Sequence, residues 1–87
     1  MMEKMVRVRF SYQERDDLLE IDLPVDTCFR ELDAHLYALG YLIPQKPGFA
    51  YLVRNHLCGG GEHLSDYLPE GAEQMDIRVF GIPQIMV

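Results

Sequence analysis

Gly59-Gly60-Gly61-Glu62-His63-Leu64-Ser65-Asp66-Tyr67 precedes Met75-Asp76-Ile77-Arg78-Val79-Phe80 near the end of the chain. Three consecutive glycines predict a loop, because their backbone entropy is too high for a strand interior. Residues 64–68 are too few for a full helix, so they predict a helical turn that Pro69 closes. Met75, Ile77 and Val79 alternate with polar positions, which is the period of a half-buried strand.

The same period occurs twice near the start of the chain. Apolar and polar residues alternate over residues 6–10 and again over residues 19–23, with a polar connection at 13–17. These segments predict an antiparallel hairpin, which Pro24 ends because it has no N–H to donate. Residues 49–57 form another β-rich stretch. Four strands are therefore predicted, and a short fifth can form beside the turn at residues 64–68.

One amphipathic helix is predicted between the hairpin and the third strand. Asp26 and Thr27 are suitable N-cap residues, and Gly40 is suited to the position after the last turn. Apolar residues recur at helical spacing at Phe29, Leu32, Leu36 and Leu39. A helix near residues 28–39 would bury this side across a sheet. The predicted class is α+β, with a mixed four- to five-stranded sheet and one helix packed across it.

Length and charge restrict the function. A chain of 87 residues predicts a single domain spanning residues 1–87, with little room for a deep cleft. The net charge of −6 and the scattered basic residues argue against nucleic acid. No signal peptide is visible, and no apolar run approaches the roughly 20 residues that span a bilayer. Cys28 and Cys58 are expected to be reduced, so we expect a cytoplasmic protein without membrane insertion.

Three chemical sites were weighed against simpler interpretations. His56, Cys58 and His63 suggest zinc ligands, but no fourth ligand has a familiar spacing, so solvated histidines beside an apolar thiol are favoured. Cys28 at a helix start suggests a nucleophile, although burial in the core is favoured. The glycines at 59–61 suggest a phosphate cradle, but the expected lysine is missing. We therefore expect no catalytic residue, no metal and no cofactor.

The chain resembles ubiquitin-like β-grasp proteins from Val6 to Phe80. Ubiquitin carries the same Leu-Ser-Asp-Tyr string, here residues 64–67, before its last strand. Within that superfamily the chain is most similar to the bacterial YukD/EsaB proteins of type VII secretion. The resemblance to that group lies in the Gly-aromatic strand start at 48–54, the glycine loop, Leu-Ser-Asp and the closing strand at 75–79. It implies a bacterial accessory protein of a secretion apparatus.

One departure from the superfamily concerns the C-terminal end. Conjugated ubiquitin and sulfur-carrier relatives end in Gly-Gly, whereas this sequence ends Ile85-Met86-Val87. A role as protein modifier or sulfur carrier would therefore require C-terminal processing, and it remains an alternative. Another alternative is a ubiquitin-like interaction module of a larger membrane-associated assembly.

The function expected from the sequence is a non-catalytic adaptor or regulatory protein that binds protein partners. Residues expected to contact a partner lie on the exposed sheet face and the tail: Leu52, Arg54, Arg78, Phe80 and Ile85. Tyr67 is expected to pack its ring on the sheet edge and to donate its hydroxyl to a backbone group. The tail at 81–87 is either flexible or docks on a surface. An exposed edge strand also permits a homodimer.

Overall fold

The computed structural model describes residues 4–45 and 48–82. Its elements are β1 (Met5–Tyr12), β2 (Leu19–Pro24), α1 (Phe29–Ala38), β3 (Phe49–Val53), β4 (His56–Leu57), a 3₁₀ turn (Leu64–Asp66) and β5 (Gln74–Gly81). The predicted β-rich stretch at 49–57 divides into β3 and β4. A tight turn separates them, in which Arg54 and Asn55 both have positive φ angles, of 50° and 66°.

The five strands form one mixed sheet in the order β2-β1-β5-β3-β4. β1 pairs antiparallel with β2 and parallel with β5, so the first and last strands lie side by side in the middle. β3 pairs antiparallel with both β5 and β4. The predicted α+β class, with one helix across a mixed sheet, is confirmed.

The core lies between α1 and one face of the sheet. Phe29 and Leu36 of α1 meet Ile77 of β5 in this core, and each is at most 1% exposed. The other side chains with less than 2% exposure are Val6, Val8, Phe10, Leu32 and Leu64. Leu64, from the 3₁₀ turn, is part of this core and is 0% exposed. Leu39 was expected on the same apolar side, but it is the residue that ends α1 and is 54% exposed.

The start of α1 differs from the sequence prediction. Cys28 is the N-cap, and no side chain caps the helix. Thr27 instead donates its hydroxyl to the carbonyl of Pro24 at 2.7 Å, and its oxygen accepts from no amide of α1. At the other end the prediction is confirmed: Gly40 has a φ of +75° and donates its N–H to the carbonyl of Tyr37 at 3.0 Å.

Two further observations bear on the expectations from composition. Cys28 and Cys58 are both free thiols. Among the described residues, no helix combines the length and the apolar character that crossing a bilayer requires.

Candidate protein-binding surface

The sheet face away from α1 is divided into two parts, of which the first carries paired charges. We call the outward side chains of β1 and β2 the charged half. Arg7 Nε lies 3.1 Å from Oδ1 of Asp22, and Arg9 Nη2 lies 3.1 Å from Oε1 of Glu20. The members of each pair occupy opposite positions on β1 and β2. The Arg7–Asp22 hydrogen bond raises the pKa of the Arg7 guanidinium. Each charge here has a neighbour of opposite sign, so the charged half is electrostatically satisfied within the chain.

The outward side chains of β3, β4 and the end of β5 form the second part, which we call the apolar half. It consists of Ala50, Leu52, Leu57, Arg78 and Phe80. Leu52 lies opposite both Leu57 and Arg78, and Ala50 lies opposite Phe80. Leu57 is 60% exposed, and Leu52 and Phe80 are partly exposed. Arg78 is exposed and forms no ion pair with a described residue. The apolar half therefore combines accessible carbon surface with a cation that remains available.

The structure brings three of the predicted partner residues together. Leu52, Arg54 and Arg78 line one depression of about 390 Å³ beyond the β3–β4 turn, together with Asp76. Arg54 lies in the turn rather than on a strand, and its guanidinium donates to the carbonyl of Tyr67 at 3.0 Å. Arg78 also lines a second depression with Phe80, on the side of β1. Arg78 is thus adjacent to Leu52 across the strands and to Phe80 along β5.

Ile85 lies outside the described residues. Leu57 was not among the predicted contacts, although its alternation with the inward Cys58 indicates an outward side chain. The tail can be followed to Ile82, whose N–H donates to the carbonyl of Gly48 at 2.9 Å.

The glycine loop supplies the cap that α1 lacks. The N–H of Phe29 donates to the carbonyl of Glu62 at 2.9 Å, and the N–H of Arg30 donates to the carbonyl of Gly60 at 3.0 Å. These amides belong to the first turn of the helix, where no intrahelical acceptor exists. Because backbone carbonyls already occupy them, they are not available to a phosphate. The N–H of Glu31, next in the same turn, donates to the carbonyl of Cys28 at 3.0 Å.

Glu62 joins the glycine loop to the Leu-Ser-Asp-Tyr turn. Its Oε1 accepts from the hydroxyl of Tyr67 at 2.5 Å and from the N–H of Gly59 at 2.6 Å. The predicted backbone partner for Tyr67 is therefore wrong, since a carboxylate takes that place. The Tyr67 hydrogen bond lowers the pKa of Glu62, and the same bond raises the pKa of Tyr67. The Tyr67 ring packs edge-on against Phe29, with 5.4 Å between ring centroids.

The three candidate zinc ligands have other contacts. The His56 ring lies 5.3 Å from the ring centroid of Tyr67. His63 Nδ1 lies 3.8 Å from a carboxylate oxygen of Asp66, whose side chain also accepts from the N–H of His63. Cys58 is buried, which raises the pKa of its thiol, and it donates to the carbonyl of His56 at 3.6 Å. Within residues 4–45 and 48–82 no three metal-ligating side chains gather in one place.

Comparisons with known proteins agree with this architecture. No protein-family model matches the chain, and no curated protein matches it in sequence. Among solved structures, a ubiquitin-fold protein from Arabidopsis thaliana superimposes with a TM-score of 0.75 at 10% identity, covering 99% of this chain and 94% of that one. The ubiquitin of Caldiarchaeum subterraneum gives 0.71 at 11% identity, covering 92% and 96%. An N-terminal ubiquitin-like domain solved in solution gives 0.71 at 10% identity, covering 99% and 83%.

These likenesses show the fold. The chain has a ubiquitin-like β-grasp. The identities are too low to carry a partner or an activity from those proteins to this one.

Proposed function

We propose that this ubiquitin-like module is a non-catalytic adaptor that binds a protein partner through the apolar half of its outer sheet face. The observation that carries the proposal is the contrast within that face. The charged half neutralises its own charges, whereas the apolar half exposes Leu57 and places Leu52 between it and Arg78, which forms no ion pair with a described residue. Exposed apolar surface around an arginine is the composition that protein interfaces favour.

The partner is proposed to belong to a type VII secretion apparatus, and the protein to work in the bacterial cytoplasm. Support for this finer assignment comes from the sequence resemblance to YukD/EsaB proteins. Arg54 lies in the turn between β3 and β4, and Arg78 lies on β5 opposite Leu52. Since both are cations, we expect the partner to present an acidic group beside its apolar contact.

The test uses a photo-crosslinking amino acid at one position at a time, in the cells that produce the protein. We expect a discrete adduct from position 57 and none from position 20, which lies in the charged half with similar access to solvent. Leu52→Asp should abolish the adduct from position 57, because it removes apolar surface and places a carboxylate opposite Arg78, where it would neutralise the cation offered to the partner.

Mass spectrometry of the adduct then identifies the partner. A secretion component would support the assignment to type VII secretion. An unrelated protein would overturn that assignment but not the proposal that the apolar half binds a protein. Equal adducts from positions 57 and 20 would overturn the surface itself.

A further inference from the structure

The outer edge of β3 is only partly paired with described residues. β4 has two residues and pairs with the last two residues of β3 alone. Next along this edge, the N–H of Cys58 donates to the carbonyl of Tyr51 at 3.0 Å. Alternate residues of a strand direct their backbone groups to the same side, so the N–H and carbonyl of Phe49 point to the side of the Tyr51 carbonyl. No described residue forms a backbone hydrogen bond with Phe49 on that side.

A groove of about 340 Å³ lies along this open part of the edge. Its apolar lining includes Phe29 at the start of α1, Phe49 of β3, and the side chains of Leu57 and Ile82. Leu57 and Ile82 are 60% and 36% exposed. Because Leu57 also belongs to the apolar half, the groove is continuous with the surface proposed to bind a protein.

Two charged side chains of α1 also line the groove, and they differ in how they are satisfied. Asp33 accepts a hydrogen bond from the hydroxyl of Tyr51. Burial and this bond raise the pKa of Tyr51, so the hydroxyl stays protonated and remains a donor. Arg30 lies against the glycine loop, where its Nε donates to the carbonyl of Gly60 at 3.4 Å. Arg30 forms no ion pair with a described residue, so its charge is available to a ligand.

The arginines of the chain divide into two sets. Three of them form ion pairs, and they lie on β1 or in the connection to β2: Arg7, Arg9 and Arg15. The other three form no ion pair with a described residue, and each lines a depression that β3 also lines: Arg30, Arg54 and Arg78. Cations without a counter-charge are therefore gathered around β3, although the net charge of the chain is −6.

We propose that the partner of the apolar half presents an extended segment that lies in this groove, pairs its backbone with Phe49 and places a carboxylate beside Arg30. This inference rests on the proposed function and specifies the kind of segment that the surface binds. An apolar side chain next to the carboxylate would cover Phe29 and Leu57. In such strand addition, backbone hydrogen bonds supply affinity and side-chain pockets supply specificity.

The short length of the open edge sets the balance between these contributions. One residue of an antiparallel segment can exchange two hydrogen bonds with Phe49. Most of the selectivity must then come from the apolar side chain and from the carboxylate, whose hydrogen bond to a guanidinium is charge-assisted.

A photo-crosslinking amino acid at position 82 of the full chain, in the cells that produce the protein, tests whether the partner enters the groove. We expect an adduct with the same protein that is captured from position 57. Position 43 is the matched control, because Ile43 is 82% exposed and lies outside the groove. It should give no adduct.

Arg30→Glu tests the carboxylate contact. It should lower the yield of the adduct from position 82 at least about tenfold, because like charges would then face each other. Arg30→Lys keeps the charge and should retain most of the yield. His35→Glu places the same new charge at an exposed position of α1 outside the groove and should leave the yield unchanged. Equal yields from Arg30→Glu and His35→Glu would overturn the carboxylate contact.

The backbone contact is tested with a synthetic peptide of the partner segment that mass spectrometry identifies in the adduct. Added to the full chain, this peptide should slow hydrogen exchange of the Phe49 amide about tenfold, because that amide gains a hydrogen bond and cover. The amide of Val8, in the middle of the sheet, should be unchanged. An unchanged Phe49 amide would overturn the pairing.

The outcomes separate this inference from the proposed function. An adduct from position 57 without one from position 82 would overturn the groove contact and leave the proposed function standing, whereas no adduct from either would count against both. An adduct of twice the mass of this chain would identify a second copy as the occupant and overturn the inference. An adduct that forms only after deletion of residues 83–87 would also overturn it, because the chain's own end would then hold the groove.

Discussion

The charged and apolar halves of the outer sheet face differ in how their side chains are satisfied. On β1 and β2, arginine and carboxylate face each other at 3.1 Å, so the chain itself completes these interactions. Leu52 on β3 faces Leu57 on β4 and Arg78 on β5, and neither leucine carries a charge that could neutralise the arginine. Both halves are built on the same alternation of inward and outward residues. Composition of the outward positions, rather than their exposure, therefore distinguishes a self-sufficient surface from one suited to a partner.

The largest expected effect on stability comes from comparing a buried residue on the inner face of the sheet with an exposed residue of the apolar half. Ile77→Ala removes a side chain that is 0% exposed, and should lower the free energy of unfolding by about 2–5 kcal/mol. Leu57→Ala should change it by no more than about 0.5 kcal/mol, because Leu57 is 60% exposed. Urea denaturation of both variants measures the difference. A loss at Leu57 similar to that at Ile77 would mean that Leu57 stabilises the fold and is not free for binding.

A smaller effect is expected within the charged half. A double-mutant cycle of Arg9→Ala and Glu20→Ala should give a coupling of about 0.2–1 kcal/mol, since the pair is about half exposed. The coupling should shrink in high salt because the charges are screened. The matched cycle of Arg78→Ala and Leu52→Ala has no ion pair to lose, so its response to salt should be negligible. A salt-sensitive coupling there would remove the distinction between the halves.

The smallest expected effect on stability at neutral pH concerns Glu62. Its carboxylate accepts hydrogen bonds from the Tyr67 hydroxyl and the Gly59 amide. The folded-state pKa of Glu62 is lowered, chiefly by the Tyr67 hydroxyl. Its contribution to stability is therefore complete above its ordinary pKa of about 4.3, and is lost as pH falls through the folded value. Tyr67→Phe should be less stable than the parent at pH 7, and the difference should narrow below about pH 4.

Unfolding curves between about pH 3 and pH 7 measure this narrowing. Tyr37→Phe is the control, since the Tyr37 hydroxyl has no hydrogen bond to a described side chain. A constant difference between Tyr67→Phe and the parent across this range would contradict the role given to Glu62.

The strands could be predicted because alternation is local. Apolar positions in β1 and β5 are inward in the structure as their period predicts, and Leu64 is buried where the turn motif places it. The cap of α1 could not be predicted in this way. Its acceptors are the carbonyls of Gly60 and Glu62, which lie about thirty positions further along the chain. Every residue carries a carbonyl, so neither composition nor spacing indicates which carbonyls cap a helix.

The candidate surface was predictable in part for a related reason. Leu52 and Arg78 follow from strand alternation. Arg54 was assigned with them, but its place in a two-residue turn depends on a positive φ that arginine rarely adopts. Asn55 was the available signal, because asparagine is favoured in such hairpin turns. The partner of Tyr67 was not predicted. Glu62 is close in sequence, but its carboxylate meets the Tyr67 hydroxyl only because the glycine loop bends back.

Parallel pairing of β1 with β5 has a consequence for how the molecule forms. β1 and β5 lie far apart in the sequence, so neither hairpin can pair with β5 until residues 74–81 have been synthesised. Contacts between residues so distant in sequence delay the rate-limiting step of folding, because a long loop must close first. The β1–β2 hairpin and α1 are local and can form early, but the core is complete only once β5 adds Met75, Ile77 and Val79 to it.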